Sequence, residues 1–351
     1  SLVIQDGAMV RDSNAFVGQE AGSVGTAYVT GTGSTWTEVG SFFVGNFGTG
    51  TVNITDGASV LDRYGYIGDN TGSVGVVNVS GVGSLWNSSR DLAIATSGSG
   101  TLNIADGATV SNDFGSIGDD TSGVGVVNIT GAGSTWTNHS DLTIGLIGNG
   151  SVTVFDGGKL ATAASFIGSF FESTGSVQVS GTGSNWSATD TVNVGYDGAG
   201  TLTLAEAGRL SVQNGAGPLS LGTFANGAGT LNLGGTSSNA RDATEAGTLD
   251  VAKVEFGDGT GTLNFNLADL RYNFEPVLTS TGSGVHRLNQ VAGTAVLGAD
   301  NSGFNGTTTV SGGTLIVANA LGGSALVTGG LLQVDNTLAG PVTVEGSGTL
   351  A

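Results

Sequence analysis

The chain of 351 residues contains no cysteine and only 3 prolines, and these absences exclude several classes of protein. Without cysteine there is no disulfide scaffold and no thiolate metal site. The scarcity of proline, with glycine that does not recur at every third residue, excludes collagen. The 65 glycines and a charged fraction of 11% argue against long helices and coiled coils. Glycine costs about 1 kcal/mol per helical position, and the charge pairs that stabilise exposed helices are missing.

Positive charge is also scarce, with 9 lysines and arginines against 28 aspartates and glutamates and a net charge of −19. So few cations cannot neutralise a series of phosphates, so we expect no nucleic-acid partner. No apolar segment approaches the roughly 20 residues of a membrane-spanning helix, and we expect the chain itself not to be embedded in a membrane. Residues 1–4 begin in the middle of a repeated pattern, which predicts that the chain is a segment of a longer protein.

What the sequence does contain is an internal repeat of 50 residues across positions 1–200. One column of the repeat holds a tryptophan, and another holds an acidic residue that usually precedes glycine. The first column is Trp36, Trp86, Trp136 and Trp186, and the second is Asp6, Asp56, Asp106, Asp156 and Glu206. Each unit divides into halves of about 25 residues with three short apolar pieces, which in the second unit are 52–54, 58–60, 66–67, 77–79, 84–86 and 92–94.

Side chains alternate within these pieces with a period of two, which is typical of strands with one buried face. The constant spacing favours strands stacked in parallel over a hairpin meander, which would need two-residue turns of the Asn-Gly type. We therefore predict an all-β fold, a parallel β-helix with three short strands per coil of about 25 residues. Glycine and Asp-Gly pairs would form its corners, where a positive φ is required.

The repeat predicts three regions. Residues 1–200 are the regular β-helix, 201–285 continue it irregularly with loops, notably 236–248, and 286–351 form a C-terminal β-helix. The last region contains strand-like pieces at 307–310, 314–317, 331–334 and 341–344.

Two columns of side chains raise the question of binding. An outward file of polar residues would form either a ladder of stacked amides that stabilises the sheet or a polar binding strip. The candidate residues are Tyr28, Asn53, Asn78, Asn103 and Asn128. The tryptophans, with Leu61 and Ser111 expected in the coils between them, would fill a core or corner layer, or else form an exposed row that stacks against sugars.

The sequence offers little for catalysis. Asp69, Asp119 and Asp120 lie at the same predicted corner, but they recur with the repeat as a solvated corner does, whereas an active site breaks the pattern once. His139 and His286 have no neighbours in sequence for a triad or a zinc site. Asp-Gly pairs suggest calcium, yet the nonapeptide of calcium-binding β-rolls is missing. We therefore expect no enzyme, no metal and no cofactor.

The DGA(S/T)V, IG and GxGSxW elements of the 50-residue unit resemble the repeat shared by bacterial autotransporter (type V secretion) passengers and some exopolysaccharide-associated surface proteins. The segments TLNFNLADLRYNFEPVLTSTGSG and NSGFNGTTTVSGGTLIV resemble the passenger-associated strand repeat that usually follows it. Together these motifs cover nearly all of the chain.

The resemblance implies a right-handed parallel β-helix that is secreted or displayed on the outer-membrane surface of a Gram-negative bacterium. It implies an adhesin or self-association module that contacts host-cell or neighbouring-cell surface molecules, including glycans, with roles in virulence and biofilms. It also implies that residues 286–351 help to nucleate folding. The alternatives are a carbohydrate-active β-helix enzyme, either a lyase or a hydrolase, and a passive stalk.

Overall fold

The computed structural model describes residues 1–236 and 239–351, and it shows the chain wound into a parallel β-helix. Each strand pairs in parallel with its counterparts one coil before and one coil later. Three parallel sheets, named A, B and C in the order in which the chain enters them, form most of the faces. The predicted all-β solenoid with three strands per coil is therefore confirmed. No α-helix occurs in the described ranges, which hold short 3-10 turns at Gln213–Gly215 and Ala240–Asp242.

The strands follow one another around the coil with short turns between them. Sheet A consists of Leu2–Ile4, Val24–Thr30, Thr49–Thr55, Val74–Ser80, Ser99–Ala105, Val124–Thr130, Asn149–Phe155, Thr174–Ser180, Ala199–Ala205, Ala228–Gly234, Thr260–Asn266, Val285–Ala292, Thr307–Val310, Ser324–Val327 and Val342–Val344. Sheet B consists of Met9–Asp12, Thr35–Glu38, Ser59–Asp62, Leu85–Ser88, Thr109–Asn112, Thr135–Asn138, Lys159–Thr162, Asn185–Ala188, Arg209–Val212 and Thr248–Asp250.

Sheet C consists of Ala15–Val17, Ser41–Val44, Tyr64–Ile67, Leu92–Ile94, Gly115–Ile117, Leu142–Ile144, Ser165–Ile167, Val192–Val194, Pro218–Leu221, Lys253–Phe256 and Val277–Ser280. Towards the C-terminus the strands that follow sheet A form two further sheets. Sheet D consists of Tyr272–Phe274, Thr294–Leu297, Thr314–Val317, Leu331–Val334 and Thr349–Leu350, and sheet E of Ala320–Leu321 and Thr337–Leu338.

The register of sheet A shows how regular the coil is. Val74 pairs with Ser99, and Ser99 pairs with Val124, so successive coils take equal lengths of chain. The coil lengthens where Ala228 pairs with Thr260, and the additional chain forms the excursion 235–247. Near the C-terminus each coil takes fewer residues, because Thr307 pairs with Ser324. Like side chains therefore stack over like wherever the coil length stays constant.

The tryptophan column lies in the core. Trp86, Trp136 and Trp186 have no exposed surface and Trp36 is 4% exposed, so the core-filling prediction is confirmed and the exposed sugar-stacking row is wrong. The residues between them were also misassigned, because Trp86 pairs with Val60 and Val110 and not with Leu61 and Ser111. The turn after sheet A spans 56–58 in one coil and 81–84 in the next, so the spacing of paired positions along sheet B alternates between a longer and a shorter step.

The Asp-Gly column forms the turns between sheets A and B. Asp56 and Gly57 both have positive φ, 57° and 82°, which confirms the left-handed turn predicted for this pair. The Gly57 N–H donates to Ser84 Oγ of the next coil at 3.0 Å. The same bond joins Gly7 to Ser34, Gly107 to Ser134 and Gly157 to Ser184. The Asp-Gly and GxGSxW motifs therefore recur together because each coil with a tryptophan binds the Asp-Gly turn of the coil before it.

From Met9–Asp12 to Arg209–Val212, the last residue of each sheet B strand points into the core, two positions after the tryptophan where there is one. In the first three coils this residue is acidic, and we call Asp12, Glu38 and Asp62 the acid column. The indoles of Trp36 and Trp86 donate to Asp12 Oδ2 at 3.3 Å and to Asp62 Oδ2 at 2.5 Å. In later coils neutral side chains take this place, and the indoles donate to Asn112 and Thr162.

Glu38 is the most unusual member of the acid column. It is 3% exposed, and neither carboxyl oxygen has a hydrogen-bond partner among the described residues. Burial, and then the neighbouring carboxyls of Asp62 and Asp12, raise the pKa of Glu38 from 4.5 to about 9. Burial also raises the pKa of Asp62 from 3.8 to about 7, although the Trp86 indole opposes this shift. The first coils therefore enclose carboxyls that the fold favours in the protonated form.

Candidate binding surface

The five predicted binding residues lie in one file on the outer face of sheet A. The register pairs Tyr28 with Asn53, and it continues through Asn78 and Asn103 to Asn128. We call this file the polar strip. Its asparagines are partly buried and Tyr28 is 45% exposed. Consecutive strands of a sheet lie about 4.8 Å apart, so the strip presents closely spaced amides along the solenoid.

The asparagines of the polar strip are joined as a hydrogen-bonded ladder. Asn78 Nδ2 donates to Asn53 Oδ1 at 2.9 Å, Asn103 to Asn78 at 2.8 Å and Asn128 to Asn103 at 2.9 Å. The ladder therefore stabilises the stack. It uses one donor and one acceptor of each inner amide, and a primary amide has two N–H groups and two lone pairs. The remaining groups of each amide are chemically suited to hydrogen bonding with a ligand.

A second ladder of the same kind follows, and sequence reasoning missed it. Asn264 donates to Asn232 at 2.9 Å and Asn289 donates to Asn264 at 2.8 Å. The sequence does indicate this ladder, because the segments TLNLGG and TLNFNL both keep the asparagine at the third position, as Asn232 and Asn264. The number of residues per coil changes between them, but the position of the asparagine in the strand does not. The excursion 235–247 bonds back to sheet A through the antiparallel pair Ala205 and Ala246. Asn232 is 2% exposed, whereas Asn264 and Asn289 are partly buried like the asparagines of the polar strip.

The predicted loop at 236–248 falls largely within this excursion. Residues 237 and 238 lie outside the described residues. The described part contains the short 3-10 turn Ala240–Asp242, and the Asn239 side chain accepts a hydrogen bond from the Arg241 N–H at 3.0 Å.

The acidic corner follows sheet C in the early coils. Asp69 accepts hydrogen bonds from Asn46 and Asn70, and Asp119 accepts one from Ser116. Burial raises the pKa of Asp119 from 3.8 to about 6, the Ser116 hydroxyl opposes the shift, and the charge of Asp69 adds to it. Burial likewise raises the pKa of Asp69. Among the residues that the structure describes, no group of three or more histidines and acidic residues is placed to hold a metal ion.

The same corner becomes aromatic in the later coils, and sequence reasoning did not single out this surface. We call it the aromatic corner, and it consists of Ile147, Phe166, Phe170, Phe171, Tyr196 and Phe224. Phe170 and Phe171 are 55% and 60% exposed. Periodicity could not reveal these residues, because most of them lie in turns. Exposed apolar patches of this kind mark interaction surfaces more often than isolated apolar residues do.

Comparisons with protein-family models, curated proteins and solved structures find no match to this chain. Within the described ranges, no helix is both long enough and apolar enough to cross a bilayer.

Proposed function

We propose that this chain is a non-enzymatic binding module, part of an extracellular β-helix passenger of the autotransporter class. It would be displayed on a Gram-negative cell or secreted, and would act as an adhesin or self-association module. The observation that supports this most directly is the polar strip, in which successive coils present the same amide at constant spacing. The motif resemblance described above supports the export class.

Repetition explains how such a strip would bind. A single amide offers one or two hydrogen bonds to a ligand, and each contributes only about 1 kcal/mol because water competes for it. Contacts on neighbouring coils act within one molecule, so after the first contact the others form at high effective concentration. Weak and similar contacts then add to a strong attachment to host-cell or neighbouring-cell surface molecules, including glycans.

The test compares attachment by two variants of the full chain coupled to beads. One variant replaces the four asparagines of the polar strip with threonine, since Thr153 already occupies the same file. The control carries four substitutions to alanine on the outer face of sheet B, at Thr37, Asn87, Ser111 and Thr137. Circular dichroism verifies that both fold.

We expect the strip variant to lose bead attachment to cells, or clumping between beads, while the control keeps it. Unchanged attachment by a folded strip variant would contradict the role of the strip. If neither the native chain nor any variant attaches, the passive stalk is the better description.

The Asp69 and Asp119 pair favours a second candidate, a carbohydrate-active enzyme. Two carboxyls at one corner, with the pKa of Asp119 raised to about 6, have the acid-base character that glycosidases require. Incubating the chain with a panel of polysaccharides and measuring reducing ends or unsaturated products tests this candidate. Product formation that is lost in Asp119→Asn would favour the enzyme over the binding module.

A further inference from the structure

The turn at Phe170 breaks the repeat in its chemistry but not in its backbone. The equivalent turns 20–22, 70–72 and 120–122 read Glu-Ala-Gly, Asn-Thr-Gly and Asp-Thr-Ser, whereas 170–172 reads Phe-Phe-Glu. In all four the same hydrogen bond closes the turn, at 2.8 to 3.0 Å. Glu172 has φ of 66°, a conformation that disfavours side chains and that glycine adopts at Gly22 and Gly72. Packing and backbone geometry therefore do not explain the two phenylalanines or the glutamate.

Beside this turn lies a groove of about 180 Å³. It is lined by Thr143, Leu146, Phe166, Ser169, Phe170 and Tyr196. The Phe166 and Tyr196 rings meet at 76° with centroids 4.9 Å apart, and Tyr196 meets Phe224 at 86° and 4.8 Å. The three rings therefore pack edge to face along the stack, and Phe166 and Tyr196 form an aromatic wall of the groove. Thr143 Oγ1 is buried and has no hydrogen-bond partner among the described residues.

The charge around the groove is negative. Its turns, 145–149, 168–174 and 195–198, contain no lysine or arginine, and they carry Glu172 and Asp197. The chain as a whole has a net charge of −19. An anionic ligand is therefore disfavoured, and so is a second copy of this equally acidic surface. A cation is attracted both by the carboxylates and by the negative faces of the aromatic rings.

We propose that the aromatic groove binds a quaternary ammonium group of the choline type. Such a group combines an apolar surface with a diffuse positive charge, so it suits an aromatic groove better than a strongly hydrated ammonium does. This site goes beyond the proposed adhesive function, because it does not involve the polar strip.

The test titrates the full chain with choline and with tetramethylammonium, followed by calorimetry and by NMR of the aromatic protons. The neutral isostere 3,3-dimethylbutan-1-ol has the shape of choline without its charge. We expect saturable binding of both cations and binding of the isostere that is weaker by roughly tenfold. If the isostere binds as tightly as choline, the groove recognises apolar surface and not charge, and the proposal is wrong. If neither cation binds, the proposal is also wrong.

Variants locate the site without disturbing the core. Phe170→Leu and Tyr196→Leu keep apolar volume but remove a ring, and we expect each to weaken choline binding by roughly tenfold. Phe170→Trp keeps a ring and should retain binding. The control is Phe47→Leu, because Phe47 is 52% exposed at the same corner of an earlier coil. Loss of binding in the control, or full binding in both groove variants, would place the ligand elsewhere and overturn the assignment.

The ligand could be a free molecule or a lipid headgroup, and vesicles distinguish these sources. Phosphatidylcholine vesicles that bind the native chain, release it on addition of choline and fail to bind Phe170→Leu would identify the headgroup. Choline binding without vesicle binding would identify a soluble ammonium compound. Binding to neither contradicts the proposal, whatever the attachment assay on the polar strip gives.

Discussion

Replacing Glu38 with glutamine should stabilise the protein, and increasingly so as the pH rises. An unfolded glutamate releases its proton near its ordinary pKa of 4.5, whereas burial and the neighbouring Asp62 and Asp12 hold the pKa of Glu38 at about 9 in the folded chain. Between these values the folded state binds more protons than the unfolded state. The free energy of unfolding therefore falls as the pH rises through this window.

The size of the effect follows from the distance between the working pH and the ordinary pKa. Each pH unit above 4.5 costs the folded state about 1.4 kcal/mol for keeping the carboxyl neutral. The cost is thus about 1 kcal/mol at pH 5.5 and about 5 kcal/mol at pH 8.5. Glutamine has the same shape and no charge, so Glu38→Gln keeps the packing and removes this cost.

Urea unfolding followed by circular dichroism at pH 5.5 and 8.5 measures this difference. We expect Glu38→Gln to raise the free energy of unfolding by about 5 kcal/mol at the higher pH and by about 1 kcal/mol at the lower. Glu20→Gln removes the same charge from an exposed turn and serves as the control. Equal effects of Glu38→Gln at both pH values, or a loss of stability at pH 8.5, would refute the reasoning about the acid column.

Two further predictions concern the stack itself. Asn78→Ala removes two ladder hydrogen bonds and Asn128→Ala removes one. Urea unfolding should therefore show that the free energy of unfolding falls by about 2 kcal/mol in the first variant and by about 1 kcal/mol in the second. Equal losses of stability would argue against the ladder. Gly68 and Gly72 both have positive φ, but a Cβ on Gly68 would lie 2.3 Å from Ser99 O while one on Gly72 meets open space. Gly68→Ala should therefore cost about 2 kcal/mol more than Gly72→Ala in thermal unfolding, and similar melting temperatures would contradict this.

The coil was predictable because its cause is local and repeated. Side chains alternate with a period of two within each strand, and identical residues recur at constant spacing along the chain. A stack of parallel strands explains both patterns best. Even far from the regular repeats, the strands Thr307–Val310, Thr314–Val317 and Leu331–Val334 lie where the sequence predicted them. Turns of unequal length were not anticipated, and this is why Leu61 was placed in the column that Val60 occupies.

The acid column was in principle also visible in the sequence. Glu38 is two positions after Trp36, so the alternation that buries the tryptophan also turns the carboxylate inward. Acidic side chains are rarely buried in proteins, so Glu38 would ordinarily be expected to face solvent. Here the alternation of the strand places it in the core. The aromatic corner was less accessible to prediction, because Phe170 and Tyr196 meet only when turns from adjacent coils are stacked. Turn sequences carry no period that predicts such contacts.

The alternation of tryptophan with a smaller aliphatic residue along sheet B limits how the molecule can change in length. Trp86 lies between Val60 and Val110, and tryptophan alternates with an aliphatic residue in this way as far as Leu210, which pairs with Leu249 in the next coil. Excising one coil would place two indoles, or two valines, in adjacent layers and spoil the fit. Excising a pair of coils restores the succession. Within the regular part of the stack, gain or loss of chain by pairs of coils therefore preserves the core packing, and each pair spans roughly 10 Å.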